Sequence, residues 1–296
     1  MKIRAAAVPE HFFYPWKIWL ERKEQPDIIW EWLEYPGGSG DMLRALEEGE
    51  TDIAFLLTES ALQAKSRGAE IEILSVFVQS PLLWGIFSGA QNPISSVEEG
   101  KTYAISRFGS GSHLMAILEA SGRGKEISEE SWRVVANLEG ARKSLTSGSA
   151  DLFFWEKWTT SPLVDSGDFK MLSVFPGPWP AFLLCAGKKI TQNEILLKAV
   201  KDASSSVASI AAGLKNDPSA AFEISRFYGI KENFAAEWLM QVEWAKAEAH
   251  NLSFGREAWE ILKNKHLNFN VNLNSAKKSF KSPFLPKNLM RKASNS

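Results

Sequence analysis

One cysteine, four histidines and no apolar run of membrane-spanning length set the first limits on this 296-residue sequence. With Cys185 alone, an internal disulfide, a CxxC redox pair and a cysteine-built zinc site are all excluded. Cys185 sits in the run AFLLCA and reads as a small buried hydrophobe. The histidines (His11, His113, His250 and His266) contain no i,i+4 pair of the kind that holds zinc on a helix, and the carboxylates do not cluster as metal ligands. No cofactor is expected. No apolar stretch reaches the ~20 residues that a membrane helix needs. The opening MKIRAAAVPEHFF has neither the apolar core nor the cleavage site of a secretory leader. A cytoplasmic protein without membrane insertion is the expectation.

Strong charge of either sign is also missing. The net charge is −1, so nothing in the bulk attracts nucleic acid. The balance is uneven along the chain. Residues 271–296 carry Lys277, Lys278, Lys281, Lys287, Arg291 and Lys292 and no acid, which leaves −7 on residues 1–270. This stretch reads as a solvated, flexible basic tail.

What is present is alternation. Strand-like runs recur through the first two thirds: IRAAAV, IIWEWLEY, DIAFLL, IEILSVFV, LLWGIFS, TYAIS, WRVVA, DLFFW, FKMLSVF and AFLLCA. Short amphipathic segments separate them; in GDMLRALEEGE, Met42, Leu43 and Leu46 share a helical face. The pattern predicts an α/β fold with mostly parallel strands. After Gly187 helix takes over, with one long helix over TQNEILLKAVKDASSSVASIAAGLKNDP, capped by Thr191 and stopped before Pro218.

An internal echo organises the α/β part. Leu46, Gly49, Asp52 and Phe55 match Leu145, Gly148, Asp151 and Phe154 in type and spacing. In each, a helix ends at glycine and an aspartate precedes a buried strand. Two related units would leave a cleft, and in open α/β sheets ligands sit beyond the carboxyl ends of the strands.

The strand exits hold the polar and aromatic residues. They supply Glu10 and His11; Ser39 in PGGSG; Thr58 and Glu59; Ser80 and Trp84, at the handover between units; Trp155 and Glu156; and the segment PGPWP. Richest is SRFGSGSH. Gly109 and Gly111 allow a tight turn, Ser110 or Ser112 can cap the following helix, and Arg107 adds a forked cation near the helix N-terminus. This equipment suits a carboxylate, sulfonate or phosphate oxygen. A turn whose serines only cap the helix would look the same. The motif is neither a Walker loop nor GxGxxG. His11 and His113 read first as hydrogen-bonded structural histidines. Most of the twelve tryptophans read as packing, while Trp84, Trp155, Trp158 and Trp179 flank the expected cleft.

Six ordered stretches (VPEHF, PGGSGDMLRALEEGETDIAFLLTES, QSPLLWGI, ISRFGSGSHLMA, DLFFWEKWTT and PGPWP) carry a resemblance over Ile3 to Ala186. The chain resembles the type 2 periplasmic-binding-protein fold, in a signal-less cytoplasmic branch found in fungi and bacteria. That branch is related to alkanesulfonate-binding and thiamine-pyrimidine-precursor proteins. The resemblance implies an α/β, two-lobed fold with a helical C-terminal third. Lobe 1 would take residues 1–84 and 187–270, lobe 2 residues 85–186, and the basic tail 271–296. It implies a ligand cleft built from Glu10, His11, Ser39, Thr58, Glu59, Ser80, Trp84, Arg107, Ser110, Ser112, His113 and Glu156. The residues themselves add Trp155. The missing leader speaks against coupling to an ABC importer, and the missing cysteine motif against the pyridoxal-phosphate chemistry of the precursor synthases.

The expected function is a cytoplasmic solute-binding protein that closes two lobes on a small organic, anionic molecule. The alternative is a cytoplasmic enzyme on the same fold, with lyase-type chemistry like that of the menaquinone pathway. It would use His11 or His113 beside Glu10 or Glu59 as general base.

Overall fold

A computed structural model describes residues 1–246 and Ala258. The basic tail at 271–296, and residues 247–270 apart from Ala258, lie outside the described residues.

The first unit runs β1 (Lys2–Ala7), α1 (Tyr14–Arg22), β2 (Ile29–Glu34), α2 (Ser39–Glu47), β3 (Ile53–Leu57) and α3 (Thr58–Ser66). A long strand, β4 (Glu72–Gly89), leads into the second unit. This unit repeats the order: β5 (Tyr103–Ile105), α4 (Gly111–Gly122), β6 (Trp132–Val134), α5 (Leu138–Thr146), β7 (Leu152–Glu156) and α6 (Ser161–Asp165). A second long strand, β8 (Phe169–Ala186), returns to the first unit. The helical part follows as α7 (Lys188–Thr191), α8 (Glu194–Leu214), α9 (Ala220–Tyr228) and α10 (Glu232–Gln241).

All eight strands join one sheet in the order β2-β1-β3-β8-β4-β7-β5-β6. The order is a palindrome if the first unit is exchanged for the second. β1 pairs in parallel with β2 and β3, and β5 likewise with β6 and β7. Between the two parallel trios lie β4 and β8, antiparallel to each other along their length. The end of β8 pairs with β3, Ile53 opposite Ala186 and Leu57 opposite Phe182. The end of β4 pairs with β7, Phe87 opposite Phe153 and Trp84 opposite Glu156. Each long strand therefore serves both units. By pairing, Phe182–Ala186 belongs with the first unit, and the handover falls inside both long strands.

The sequence presents each long strand as two. IEILSVFV and LLWGIFS are halves of β4, and FKMLSVF and AFLLCA are halves of β8. Proline explains the mismatch. Pro81 pairs with Pro180, and the register shifts on either side, between Val78 and Pro81 and between Pro81 and Leu83. Proline donates no ladder hydrogen bond, so its neighbourhood reads as a strand end. Here the chain runs on through irregular pairing.

The echo has a structural counterpart. Gly49 and Gly148 both take left-handed backbone, with φ of 71° and 74°. Just beyond each, the aspartate reaches to the neighbouring strand of its own unit. Asp52 accepts hydrogen bonds from the Arg4 backbone and side chain and from Lys189 Nζ. Asp151 accepts from the N–H groups of Lys101 and Thr102, the Thr102 hydroxyl and Asn92. Burial opposes ionisation at both, but these donors outweigh it and hold both carboxyls below the usual range.

The core is strongly aromatic on one face of the first unit. Phe13 packs on Phe55, Phe77 and Phe182, and Trp16 on Trp19, Trp30, Trp32 and Phe55. The helix α8 adds a stripe of Leu196, Ala199, Val200, Ala203, Val207 and Ile210, all buried, at helical spacing. Its cap is Asn193, whose side chain accepts from the Leu196 N–H; Thr191 ends the short preceding helix. Cys185 is buried in a cluster beneath α2 and α3, and burial pushes its thiol up to about 12, so it is inert packing. Among the described residues no helix is long and apolar enough to cross a membrane.

Candidate ligand-binding cleft

A cleft with about 530 Å³ of empty space, open solvent included, lies where the two units face each other. Elements from both contribute. The first unit supplies Glu10 after β1, the turn Gly37–Ser39 at the start of α2, and Ser60 in α3. The second supplies Ser106 through Ser112 in part, Trp155 and Glu156, and β4 lays Trp84 between them. Trp84 and Glu156 are register partners, so the sheet sets their side chains on the same face.

The glycine–serine turn works through its backbone. Gly109 has φ of 77°, a conformation that favours glycine. The Ser110 hydroxyl donates to the Arg107 carbonyl and accepts from the His113 N–H, capping α4. The Ser112 hydroxyl accepts from the Ser106 N–H and lies 3.0 Å from the Ser110 hydroxyl. The three serine side chains thus hold one another and fix the turn. The first N–H groups of a helix have no intrahelical acceptor, which leaves those of Gly111 and Ser112 at the cleft. On the other side α2 starts at Ser39 in the same way, with Gly38 at φ of 80°. Ser39 Oγ itself accepts from the Leu57 N–H, tying the turn to the end of β3.

Arg107 closes the gap between these two helix starts. A Cβ built on Gly40 would fall 2.4 Å from Arg107 Cζ, so the guanidinium lies close against the first unit and a side chain at position 40 would displace it. Among the described residues Arg107 joins no ion pair. Burial lowers its proton affinity, with Asp41 partly offsetting this, but a guanidinium stays charged. The result is a partly buried cation without an ion pair among the described residues, flanked by the positive ends of two helices.

Three carboxyl groups complete the surroundings. Glu156 is 3% exposed; its Oε2 accepts from the N–H groups of Trp158 and Thr159. Glu59 is 1% exposed; its Oε2 accepts from Trp179 Nε1. The remaining oxygens, Glu156 Oε1 and Glu59 Oε1, and Oε2 of Glu10, are buried with no hydrogen-bond partner among the described residues. Burial pushes the Glu59 carboxyl up to about 7. It also raises Glu156, against the pull of its N–H donors. Burial and the Glu156 charge together lift Glu10 well above the usual carboxylate range.

These two units, crossed by two shared strands and enclosing a cleft, have close counterparts among solved structures. The CA3427 gene product of Candida albicans, described as defining a new family with the generic periplasmic binding protein fold, matches with a TM-score of 0.81 at 22% identity, covering 95% of this chain and 94% of that one. This chain has the type 2 periplasmic-binding-protein fold. The alkanesulfonate-binding protein SsuA of Xanthomonas axonopodis pv. citri, solved bound to MOPS, matches at 0.73 and 16% identity, over 93% of this chain and 97% of that one. The periplasmic aliphatic sulphonate binding protein SsuA of Escherichia coli matches at 0.65 and 16% identity, over 93% and 91%. A family model described as Ca3427-like PBP matches residues 84–174. No curated protein matches.

On this periplasmic-binding-protein fold, Glu10, Ser39, Trp84, Arg107, Ser110, Ser112, Trp155 and Glu156 all border the cleft. Glu59 sits just behind its wall: a Cβ on Gly111 would lie 3.0 Å from Glu59 Oε1. Thr58 is fully buried and donates to the Pro180 carbonyl, so it ties α3 to the crossover of β8. Ser80 turns to the C-terminal segment, where its Oγ accepts from the Glu243 N–H. His113 Nδ1 accepts from the Gly109 N–H, and its ring packs edge-on against Trp132. His11 is buried between Phe12 and Trp238. Burial lowers His113 to about 4 and His11 to about 3. Neither is among the residues that line the cleft, and His11 Nε2 is buried without a hydrogen-bond partner among the described residues. Of the flanking tryptophans, Trp179 serves Glu59, and Trp158 packs against Phe234 of α10 under Lys157.

The sequence reading missed Gly38, Ser60, Ser106 and Gly111 as cleft residues. The glycines of PGGSG and SRFGSGSH were visible as turn formers, and a closer signal was their place at the first helical positions. Among the described residues no group of three or more His, Cys, Asp or Glu is placed to hold a metal ion.

Proposed function

We propose that this protein binds a small organic anion in the cleft between its two α/β units. The observation that carries the reading is Arg107, a partly buried guanidinium without an ion pair among the described residues, set between the starts of α2 and α4. Leaving such a charge unpaired is costly unless a ligand completes it. A bound carboxylate, sulfonate or phosphate would meet the fork of Arg107 and the free N–H groups of both helices at once. Trp84 supplies an apolar wall beside this anion site. The descriptions of the SsuA proteins as sulfonate binders agree with an anionic ligand.

Because the anion touches both units, it would bind the closed arrangement better than an open one and shift the population toward it. The long strands β4 and β8 supply the connection, with the Pro81–Pro180 pairing at its irregular centre.

The decisive experiment is native mass spectrometry of protein purified from its own host, followed by calorimetric titration of the recovered molecule into wild type and Arg107→Ala. Recovery of an anionic organic molecule that binds wild type and not the variant supports the reading. Equal binding to both removes it.

A further inference from the structure

The helix α10 touches both α/β units at once, and the two contacts differ in kind. At 3.6 residues per turn, Ala235, Trp238 and Leu239 lie on one flank, and Phe234, Glu237 and the N-cap residue Lys231 on another, about a quarter turn away. The first flank is buried against the first unit. Trp238 packs on His11 and Phe12, with ring centroids 4.4 and 5.4 Å away. Just past the helix, Trp244 Nε1 donates to the Phe12 carbonyl, and the Glu243 carbonyl accepts from the N–H groups of Gln79 and Ser80.

The second flank meets the second unit through groups that water still reaches. Lys231 Nζ lies 2.6 Å from Asp165 of α6, and Glu237 Oε1 lies 3.3 Å from Lys157 Nζ. Phe234 packs on Trp158, over whose ring Lys157 Nζ sits at 3.9 Å. Partly exposed ion pairs contribute little singly and weaken with salt, whereas a buried tryptophan is costly to lift out of a core. His11 and Phe12 follow the carboxyl end of β1, and residues 157–160 follow that of β7. Glu10 and Glu156 mark these ends as facing each other across the cleft. Widening the cleft therefore draws the two docking places of α10 apart. The helix can keep only one of them, and it keeps the buried one.

We propose that α10 is a releasable clasp: the first unit carries it permanently, and Lys231, Phe234 and Glu237 hold the second unit closed until the cleft opens. The inference rests on the closing motion in the reading above, and on no particular ligand. Arg107 against Gly40 joins the units inside the cleft, and α10 joins them at its flank. Trp158 links the two places, since it meets Phe234 through its ring and gives its N–H to Glu156. The clasp sets the balance of open and closed forms before any ligand arrives, and so the share of molecules ready to bind.

Spin labels on ligand-free protein test this. Arg44→Cys on α2, Lys143→Cys on α5 and Met240→Cys on α10 place labels, two at a time, at exposed positions, and Cys185 is buried. Pulsed electron resonance reads the separations. Replacing Lys231, Phe234 and Glu237 together by alanine should raise the population with longer 44–143 separation about three- to thirtyfold. The label at 240 should keep its distance from 44 and move away from 143. Lys231→Glu should also open the protein, and adding Asp165→Lys should close it again. Equal distributions in wild type and the triple-alanine variant overturn the clasp, as does a label at 240 that stays with 143. If the variant fails to fold, wild type in about 1 M salt decides: exposed pairs are screened there, so longer separations should rise, and an unchanged distribution overturns the proposal. A 44–143 separation that responds to Arg107→Ala but not to the α10 variants keeps the closing motion and removes the clasp. One that never changes removes both.

Discussion

The Arg107 guanidinium of the second unit lies against Gly40 of the first, at a spacing where a side chain at position 40 would push the guanidinium aside. This contact joins the halves of the protein through a cation that forms no ion pair among the described residues. It defines where a ligand would matter most.

Arg107→Ala should weaken binding of the anion by about 2–4 kcal/mol, roughly 30- to 1000-fold in Kd, with the fold intact. Titration calorimetry reads the loss, and circular dichroism checks the fold. Arg107→Lys should recover only part of the affinity, since an ammonium cannot reproduce the bidentate fork.

Gly111→Ala should be damaging although its backbone would accept alanine. The new methyl would fall 2.5 Å from Trp84 Cη2 and 3.0 Å from Glu59 Oε1. Overpacking of this kind costs about 1–3 kcal/mol. Chemical denaturation should show that loss together with weaker binding, because Trp84 and the α4 start both border the cleft. A variant as stable as wild type would mean that Trp84 moves freely.

Glu59 predicts a dependence of stability on pH. Its carboxyl is raised to about 7 by burial, so the folded protein holds a proton that the unfolded chain releases near 4.5. Stability from this group is complete below the unfolded value and is lost as pH rises toward 7. Glu59→Gln keeps an acceptor for Trp179 Nε1 and removes the charge. It should match wild type near about pH 5 and exceed it near about pH 8, by on the order of 3 kcal/mol. Identical denaturation curves at the higher pH would show that Glu59 ionises at no cost.

Asp52 and Asp151 predict a paired result. Asp52 satisfies the Arg4 N–H of β1, and Asp151 the Lys101 and Thr102 N–H groups just before β5. Asp151→Ala should cost about 2–4 kcal/mol by leaving those groups unsatisfied, and Asp52→Ala a comparable amount. Unfolding followed by denaturant should show both losses. A large effect at one site and none at the other would break the equivalence of the two units.

Much of this was legible in the sequence because it depends on local chemistry. The Gly49 and Gly148 helix ends, the aspartates after them and the SRFGSGSH turn follow from which residues tolerate which backbone. The continuity of β4 and β8 was hidden, since Pro81 and Pro180 look like strand ends and only their mutual pairing keeps the strands going. The helix cap at Asn193 instead of Thr191 is a choice between two neighbouring side chains that both suit the role. Direction was harder to read. Ser80 and Glu10 are both polar residues near a strand exit, yet one turns to the Glu243 backbone and the other to the cleft. Nothing local distinguishes them. The histidines show the same limit: His11 disappears into Trp238, a neighbour supplied by a helix far along the chain.

The shared strands also bear on how the chain is made. Ile53 meets its partner only when Ala186 has left the ribosome. Until then β3 offers an unpaired apolar edge, a template for wrong associations. The first half of this protein thus waits for the second before it can finish folding, and synthesis of the N-terminal unit by itself would leave that edge permanently open.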